Sequence, residues 1–453
     1  MKQQNFFTVD LFAGCGGISE GFHQAGFKSV AQVEMHPPAC ETLRTRQMFY
    51  ELVRHDRTDL YYQYVRGEIQ KEDIFSEFDD IREAVSLRVI PEALSEDSIH
   101  LIKRKIRESM KYHGAEKIQV FLGGPPCQPY SIINRARIQK NGDALNRNYL
   151  YEHYLALLHH FRPDVFVYEN VPGLFSVRDR GQKIFEKLLD DFRNLNPAYE
   201  IIPPLHLVSK DPHSYVLNSA NFGVPQTRKR LILIGFRKDL ERKNEKIKDI
   251  FENLKAVKIN PDNYLTVRDA IGDILPLEPG KGNDGFYKPY PQKKEIRPYQ
   301  KQMRDLSPGF LNHRARTHMP EDIRRYNFYI QYWKDNKEAA TVKDLINQRP
   351  DLSPKHQNLK DYVDRFKVQW WKKPASTITA HISKDGHYFI HPSIKQCRSF
   401  TVREAARCQS FPDNFFFEGP RTEQFRQVGN AVPPLLARAI GMAIRKELEK
   451  IYS

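Results

Sequence analysis

No apolar run in this 453-residue chain reaches the roughly 18 residues that a membrane span requires. The N-terminal stretch MKQQNFFTVDLFAGCGG carries one Lys, then acidic and glycine-rich residues where a secretory leader needs an apolar core. A cytoplasmic protein is expected. Cysteine is scarce and odd in number, with Cys15, Cys40, Cys127, Cys397 and Cys408 and no CxxC pair. That argues against a disulfide framework and against a zinc site, and no metal is expected. Internal repeats and low-complexity tracts are also missing. Acidic residues are outnumbered: 56 Asp and Glu against 71 Lys and Arg leave a net charge of +15. Such an excess favours polyanions through counterion release, although it also serves solubility alone. Hydrophobic residues at 40% and charged residues at 28% exclude wholesale disorder and coiled coil, and the length suits two or three domains.

What is present begins with a strand (8–13, TVDLFA), a turn (14–17, GCGG), a helix (18–27) and a second strand (29–34, SVAQVE). This βαβ unit predicts a doubly wound, parallel α/β sheet. Residues 41–117 are charged and mostly helical in pattern and read as an insertion. Apolar strands at 118–124, 164–171 and 230–236 alternate with helices at 149–161 and 182–195. Residues 275–310 are then rich in Pro and Gly, and 311–375 mix basic and aromatic residues. The expected division is a first domain over 1–237, completed by 422–453 folding back, and a second, smaller domain over 238–421. Trp370 and Trp371 read as a structural pair more readily than as a binding feature.

Several residues at predicted strand ends could carry chemistry, because the carboxyl edge of such a sheet lines the ligand crevice. Gly14, Gly16 and Gly17 permit close approach of a ligand, but Ser19 stands where a dinucleotide fingerprint has its third Gly. Glu34, twenty residues after Gly14, can accept hydrogen bonds from a ribose diol or can be a solvated acid. Cys127, in GGPPCQPYS, suits a nucleophilic thiolate or a small buried hydrophobe. Glu169 ends an apolar strand and is a candidate general acid or a helix cap. Arg228 and Arg230, in QTRKR, fall on one strand face and could bind phosphate or a carbonyl oxygen, or be a basic edge.

Taken in order, DLFAGCGG, VEMHPPA, GGPPCQPYS, ENVPGL, QTRKR, RSFTVREAARCQSFPDNF and QVGNAVPPLLA resemble the motifs of the DNA (cytosine-5)-methyltransferase family, nearest its prokaryotic restriction–modification members. The likeness spans nearly the whole chain. It implies a Rossmann-like methyltransferase sheet dependent on S-adenosylmethionine, with a smaller DNA-recognition domain. It implies that Cys127 attacks C6 of a cytosine flipped out of duplex DNA, that Glu169 acts at N3, and that Arg230, with Arg228 beside it, holds O2. Around the cofactor it implies Phe12 and Met35 at the adenine, Gly14, Gly16 and Gly17 at the methionine part, and Glu34 on the ribose. Pro126, Leu150, Asn430 and Ala431 would complete that pocket, and Gln128 and Ser131 would line the DNA. Asp73 is taken for the acid on the adenine amino group, with Asp59 and Asp79 as alternatives. The partner is double-stranded DNA, a cognate restriction endonuclease would act separately, and a monomer is expected. Two other readings are a tRNA cytosine-5 methyltransferase, whose Cys-Phe-Thr tripeptide is missing here, and a catalytically idle DNA-binding relative.

Overall fold

Strand segments that are apolar at odd and even positions alike require a sheet covered on both faces. The computed structural model describes residues 4–126, 150–179, 181–204, 211–243, 249–292, 295–354 and 364–453. In it, β1 (Phe7–Leu11), β2 (Lys28–Val33), β3 (Val89–Ile90), β4 (Val120–Gly123) and β5 (Val165–Asn170) are mutually parallel. A small ribbon, β6 (Arg178–Asp179) with β7 (Gln182–Lys183), precedes β8 (Tyr199–Ile202), β9 (Val216–Asn218) and β10 (Lys229–Arg237). The order across the main sheet is β3-β2-β1-β4-β5-β10-β8, with β9 also paired to β10. β10 runs antiparallel to β5, β8 and β9. The doubly wound parallel sheet expected from the sequence is there, with one reversed strand, β10. The connection from β9 to β10 is too short for a crossover, so the chain must turn back on itself.

Residue alternation sorts the two faces. Val120, Leu122, Val167, Ile232 and Ile234 join one core with Phe22 of α1 (Gly17–Gln24) and Ile440 and Ile444 of the C-terminal helix. Phe121, Phe166, Tyr168, Leu231 and Leu233 join the other, with residues from three further helices. Six helices precede β4: α1, then α2 (Pro37–Arg54), α3 (Thr58–Arg66), α4 (Lys71–Glu77), α5 (Asp79–Arg88) and α6 (Ile99–Tyr112). α7 (Leu150–Phe161), α8 (Ile184–Arg193) and α9 (Asp249–Ala256) follow. Ile102 of α6, Leu158 of α7 and Phe192 of α8 cover the second face.

The segment read as an insertion is partly sheet. β3 pairs with β2 within it, and two residues are too short a run for alternation to reveal. Its helices also build a separate core. Met48, Phe49, Tyr61, Val65 and Ile81 pack with Leu311, Phe286 and Phe416 from the later part of the chain. The Tyr61 hydroxyl donates to Asn414 O at 2.7 Å.

That later part contains α10 (Val267–Ile271), a hairpin of β11 (Gly282–Pro289) and β12 (Gly309–Arg314) with α11 (Pro298–Met303) between them, α12 (Pro320–Asn336) and α13 (Val342–Gln348). Trp370 stacks on Trp333 with ring centroids 4.1 Å apart, whereas Trp371 meets the edge of His391. The two tryptophans are thus half-buried against different partners, not a pair. α14 (Val402–Cys408) is held by buried arginines. Arg398 grips Glu404, Arg407 grips Asp413, and Arg403 donates to the carbonyls of Leu311, Pro412 and Phe415. α15 (Arg421–Asn430) and α16 (Pro434–Tyr452) end the chain. α16 lies against α1 so closely that a Cβ on Gly21 would stand 2.4 Å from that of Ala437.

Burial of histidines gives this region a pH dependence. His313 donates from Nε2 to Leu275 O and accepts at Nδ1 from Thr401, and burial lowers its pKa to about 4. Burial lowers His391 to about 3 and His318 to about 4. A histidine depressed in the folded state contributes stability that is full above its unfolded pKa of about 6.5 and is lost as pH falls. Denaturant midpoints are expected to drop steadily between pH 6.5 and 4.5. A flat profile there would contradict the burial of these rings as neutral groups.

Candidate active site

The carboxyl ends of β1 to β5 and the start of β10 share one edge, since Leu11 pairs with Val33 and Gly123, Gly123 with Tyr168, and Asn170 with Leu231. At the end of β1 the chain turns sharply. Phe12 has φ 58°, Gly14 φ 56° and Gly16 φ 88°. The left-handed conformation is natural for the glycines and strained for a phenylalanine, a form of strain that gathers at ligand sites. Gly17 is needed for a different reason, because a Cβ there would lie 2.2 Å from Val432 O. That contact brings the segment after α15, with Asn430 and Ala431, against the glycine turn. Cys15 Sγ, at 3.6 Å from Gln427 O, and Thr42, bonded to the Gln427 side chain at 2.6 Å, fix α15 to the same place.

Glu34 follows β2 and organises this corner. Its Oε2 accepts from Gly14 N at 2.8 Å, and its Oε1 accepts from Met35 N at 2.9 Å and His36 N at 2.8 Å. The Met35 side chain beside it is 68% exposed, and a Cβ on Gly14 would meet nothing within 4 Å. An open cradle therefore sits between a fixed carboxylate, a glycine turn and the end of α15. The Glu34 carboxylate there is an acceptor, a group that suits the hydroxyls of a nucleoside-type ligand. Beneath it, Asp10 accepts from Ser19 Oγ at 2.6 Å, and burial raises its carboxyl pKa to about 7.

The second half of the edge is built on β4, β5 and β10. Glu169 pairs in register with Ile232, so Arg230, two residues away, lies diagonally across on the same face. Its Nε meets Glu169 Oε1 at 2.8 Å, with side-chain exposures of 12% and 13%. The other oxygen, Oε2, would lie 2.7 Å from a Cβ on Gly124. Gly124 thus lets the chain after β4 pass directly over the carboxylate. Asn170 Nδ2 donates to Pro125 O at 3.3 Å and ties that chain down. The structure so sets Gly124 against Glu169 and ties Pro125 to Asn170, the residue after Glu169. Cys127, Gln128 and Ser131 themselves lie outside the described residues. Leu150 opens α7 and is partly exposed.

Two sequence expectations change. Arg228, grouped with Arg230 as catalytic, is fully buried, and its guanidinium donates to the carbonyls of Ile378, Gly429 and Asn430. A group so enclosed does not face the cleft. Asp73 is exposed on α4, where its carboxylate accepts from Gln70 N and caps its own helix. The chain that reaches the cradle from this segment is β3, whose Ile90 O accepts from Glu34 N. Gln226 was quoted only within QTRKR. It is wholly buried, accepts from Ile378 N at 2.7 Å and donates to Gln409 Oε1 at 2.9 Å. Its place in that motif was the one available signal.

A parallel-dominant sheet of this order with a reversed strand and a glycine turn after β1 has the Rossmann-like methyltransferase fold. The family model for C-5 cytosine-specific DNA methylases matches residues 6–77 and 91–446. The chain belongs to that family and is a DNA (cytosine-5) methyltransferase. The unmatched stretch falls on α5 and β3. Type II methyltransferase M.Bpa9945I of Bacillus paralicheniformis is 38% identical, over 97% of this chain and 98% of its own. Type II methyltransferase M.AgeI of Thalassovita gelatinovora is 27% identical over 97% and 99%. The crystal structure of a candidate DNA modification methyltransferase encoded within an E. coli prophage aligns with a TM-score of 0.58 at 22% identity, over 98% and 99%. That last likeness is one of fold.

Proposed function

We propose that this enzyme methylates C5 of a cytosine within a specific duplex sequence through a covalent bond from Cys127, as the modifying partner of a restriction–modification system. The observation that carries this reading is the Glu169–Arg230 pair under the Gly124–Pro126 chain, at the same sheet edge as the Glu34 cradle.

In this reading the target base leaves its stack, which costs a few kcal/mol, offset by phosphate contacts of the basic chain. Residues 1–237 with 422–453 carry the chemistry, and 238–421 carry the recognition of sequence. The Cys127 thiolate adds to C6. Glu169 holds a proton at N3, so that negative charge does not accumulate on the ring, and Arg230 both orients Glu169 and faces O2. Addition at C6 makes C5 nucleophilic. When bound, S-adenosylmethionine supplies an electrophilic methyl group. Loss of the C5 proton and cleavage of the C6–S bond then restore the aromatic ring and the free thiol.

Glu34, Phe12, Met35, the glycine turn, Asn430 and Ala431 would hold that cofactor, with Pro126 and Leu150 closing its outer side. Glu34→Gln keeps one acceptor oxygen and loses the charge. A charged hydrogen bond contributes about 1.5–3 kcal/mol, so affinity for S-adenosylhomocysteine should fall roughly tenfold to a hundredfold in calorimetric titration. Unchanged affinity would remove Glu34 from the cofactor site. The reading as a whole is tested by expressing the protein in a host lacking cytosine methylation and sequencing bisulfite-treated DNA. Protected cytosines in one recurrent sequence are expected. Their absence, with active protein that labels tRNA instead, would overturn it.

A further inference from the structure

Burying a guanidinium costs several kcal/mol unless a counter-charge compensates. Arg398, Arg403 and Arg407, all fully buried, each have a carboxylate within 4 Å. Arg228 is as deeply buried, yet no ion pair to it is found among the described residues, and Glu169 is engaged by Arg230. Its Nε has no hydrogen-bond partner. Burial and the neighbouring Arg230 charge act to lower its pKa, with the Glu169 carboxylate, already paired to Arg230, opposing them. Stability alone is a poor reason to keep such a group, since an apolar side chain of similar volume would serve as well.

What Arg228 does hold is carbonyl oxygens on two other chain segments. Nη1 donates to Ile378 O at 2.5 Å, and Nη2 donates to Gly429 O at 3.1 Å and Asn430 O at 3.4 Å. The first segment, 375–380, is already laced to the approach of β10. Thr227 N donates to Ala375 O at 2.9 Å, and Thr377 Oγ1 donates to Thr227 O at 2.7 Å. It is also pressed onto the second, since a Cβ on Gly429 would lie 2.3 Å from the Thr379 carbonyl carbon. The second segment continues into Ala431 and Val432, which rest on Gly17 of the cofactor turn. Two residues beyond Arg228, Arg230 holds Glu169.

We propose that Arg228 is a positioning residue that couples occupancy of the cofactor cradle to the geometry of the base pocket, by clamping the 429–430 carbonyls and the 378 carbonyl to the start of β10. This rests on the functional reading above. A planar guanidinium reaches three carbonyls on two segments at fixed angles. A lysine retains the charge but not the fork.

The test is reciprocal binding. Titrate S-adenosylhomocysteine into the enzyme alone, then into the enzyme saturated with a duplex carrying the sequence found by bisulfite mapping. In the wild type the duplex should tighten binding at least about fivefold, within the usual range of coupling between sites. In Arg228→Lys the factor should fall below about twofold, with KM for both substrates rising more than kcat falls. Thr377→Val removes one surface tie and should give an intermediate factor. Arg403→Lys is the structural control: it loosens a buried arginine whose carbonyl partners, on Leu311, Pro412 and Phe415, are none of those that Arg228 holds, so Tm should fall while coupling persists. Equal coupling in folded Arg228→Lys and wild type would overturn the proposal. So would an equal loss in Arg403→Lys, or a wild type that methylates DNA with no coupling. If Arg228→Lys does not fold, unchanged coupling in Thr377→Val overturns it. A wild type that transfers no methyl group to DNA overturns the functional reading instead.

Discussion

Cys127→Ala is expected to lower methyl transfer to duplex DNA by on the order of 10⁴-fold or more, while binding of S-adenosylhomocysteine changes little. The argument is chemical. C5 of cytosine is a weak nucleophile until a group adds at C6, and the proposed mechanism gives that addition to the Cys127 thiolate. The size follows from the behaviour of covalent catalysts, in which loss of the nucleophile leaves only binding and electrostatic terms. After β4 the described chain ends at Pro126, one residue short of position 127. Gly124 passes over Glu169 Oε2, and Asn170 holds Pro125 O, two residues before Cys127. A duplex with 5-fluorocytosine at the target adds a second readout. Fluorine at C5 cannot leave as a proton does, so the wild type should remain bonded to that DNA through denaturing electrophoresis, and the Ala variant should not. Transfer at wild-type rate by Cys127→Ala would refute the nucleophile.

The second large effect is expected at the Glu169–Arg230 pair. Glu169→Gln should reduce kcat by about 10²–10⁴, the usual contribution of a positioned proton donor, with DNA affinity nearly unchanged. Arg230→Ala should reduce it comparably, because a half-enclosed carboxylate loses its partner and its orientation. The two groups touch at 2.8 Å, so their effects should be strongly non-additive. A double variant scarcely slower than either single one is the expected result in single-turnover assays. Strict additivity would show that the two act separately.

How far such assignments were legible varied from residue to residue. The position of Glu34, though not its role, was readable because a strand end twenty residues from a glycine turn fixes its place in the sheet, and its carboxylate binds the Gly14 amide. The diagonal pairing of Glu169 and Arg230 was not readable, because it depends on β10 running antiparallel to β5. Asp73 illustrates the opposite difficulty. An acid within a charged helical stretch has no periodic signal to set it apart, and here it caps α4. The true strand of that stretch, Val89–Ile90, is two residues long and identifiable only by its pairing with β2.

The sequence alone determined the α/β class, the glycine turn, the basic balance and the ordered motifs that mark the family, since each is a matter of residue type and spacing along one segment. The tertiary structure decided which segments meet. It reversed β10, laid α16 across α1, enclosed Arg228 among carbonyls from residues 378 to 430, and separated the two tryptophans. The physical reason is that these contacts join residues up to hundreds of positions apart. Their energies come from burial and hydrogen bonding that exist only once the chain has closed on itself.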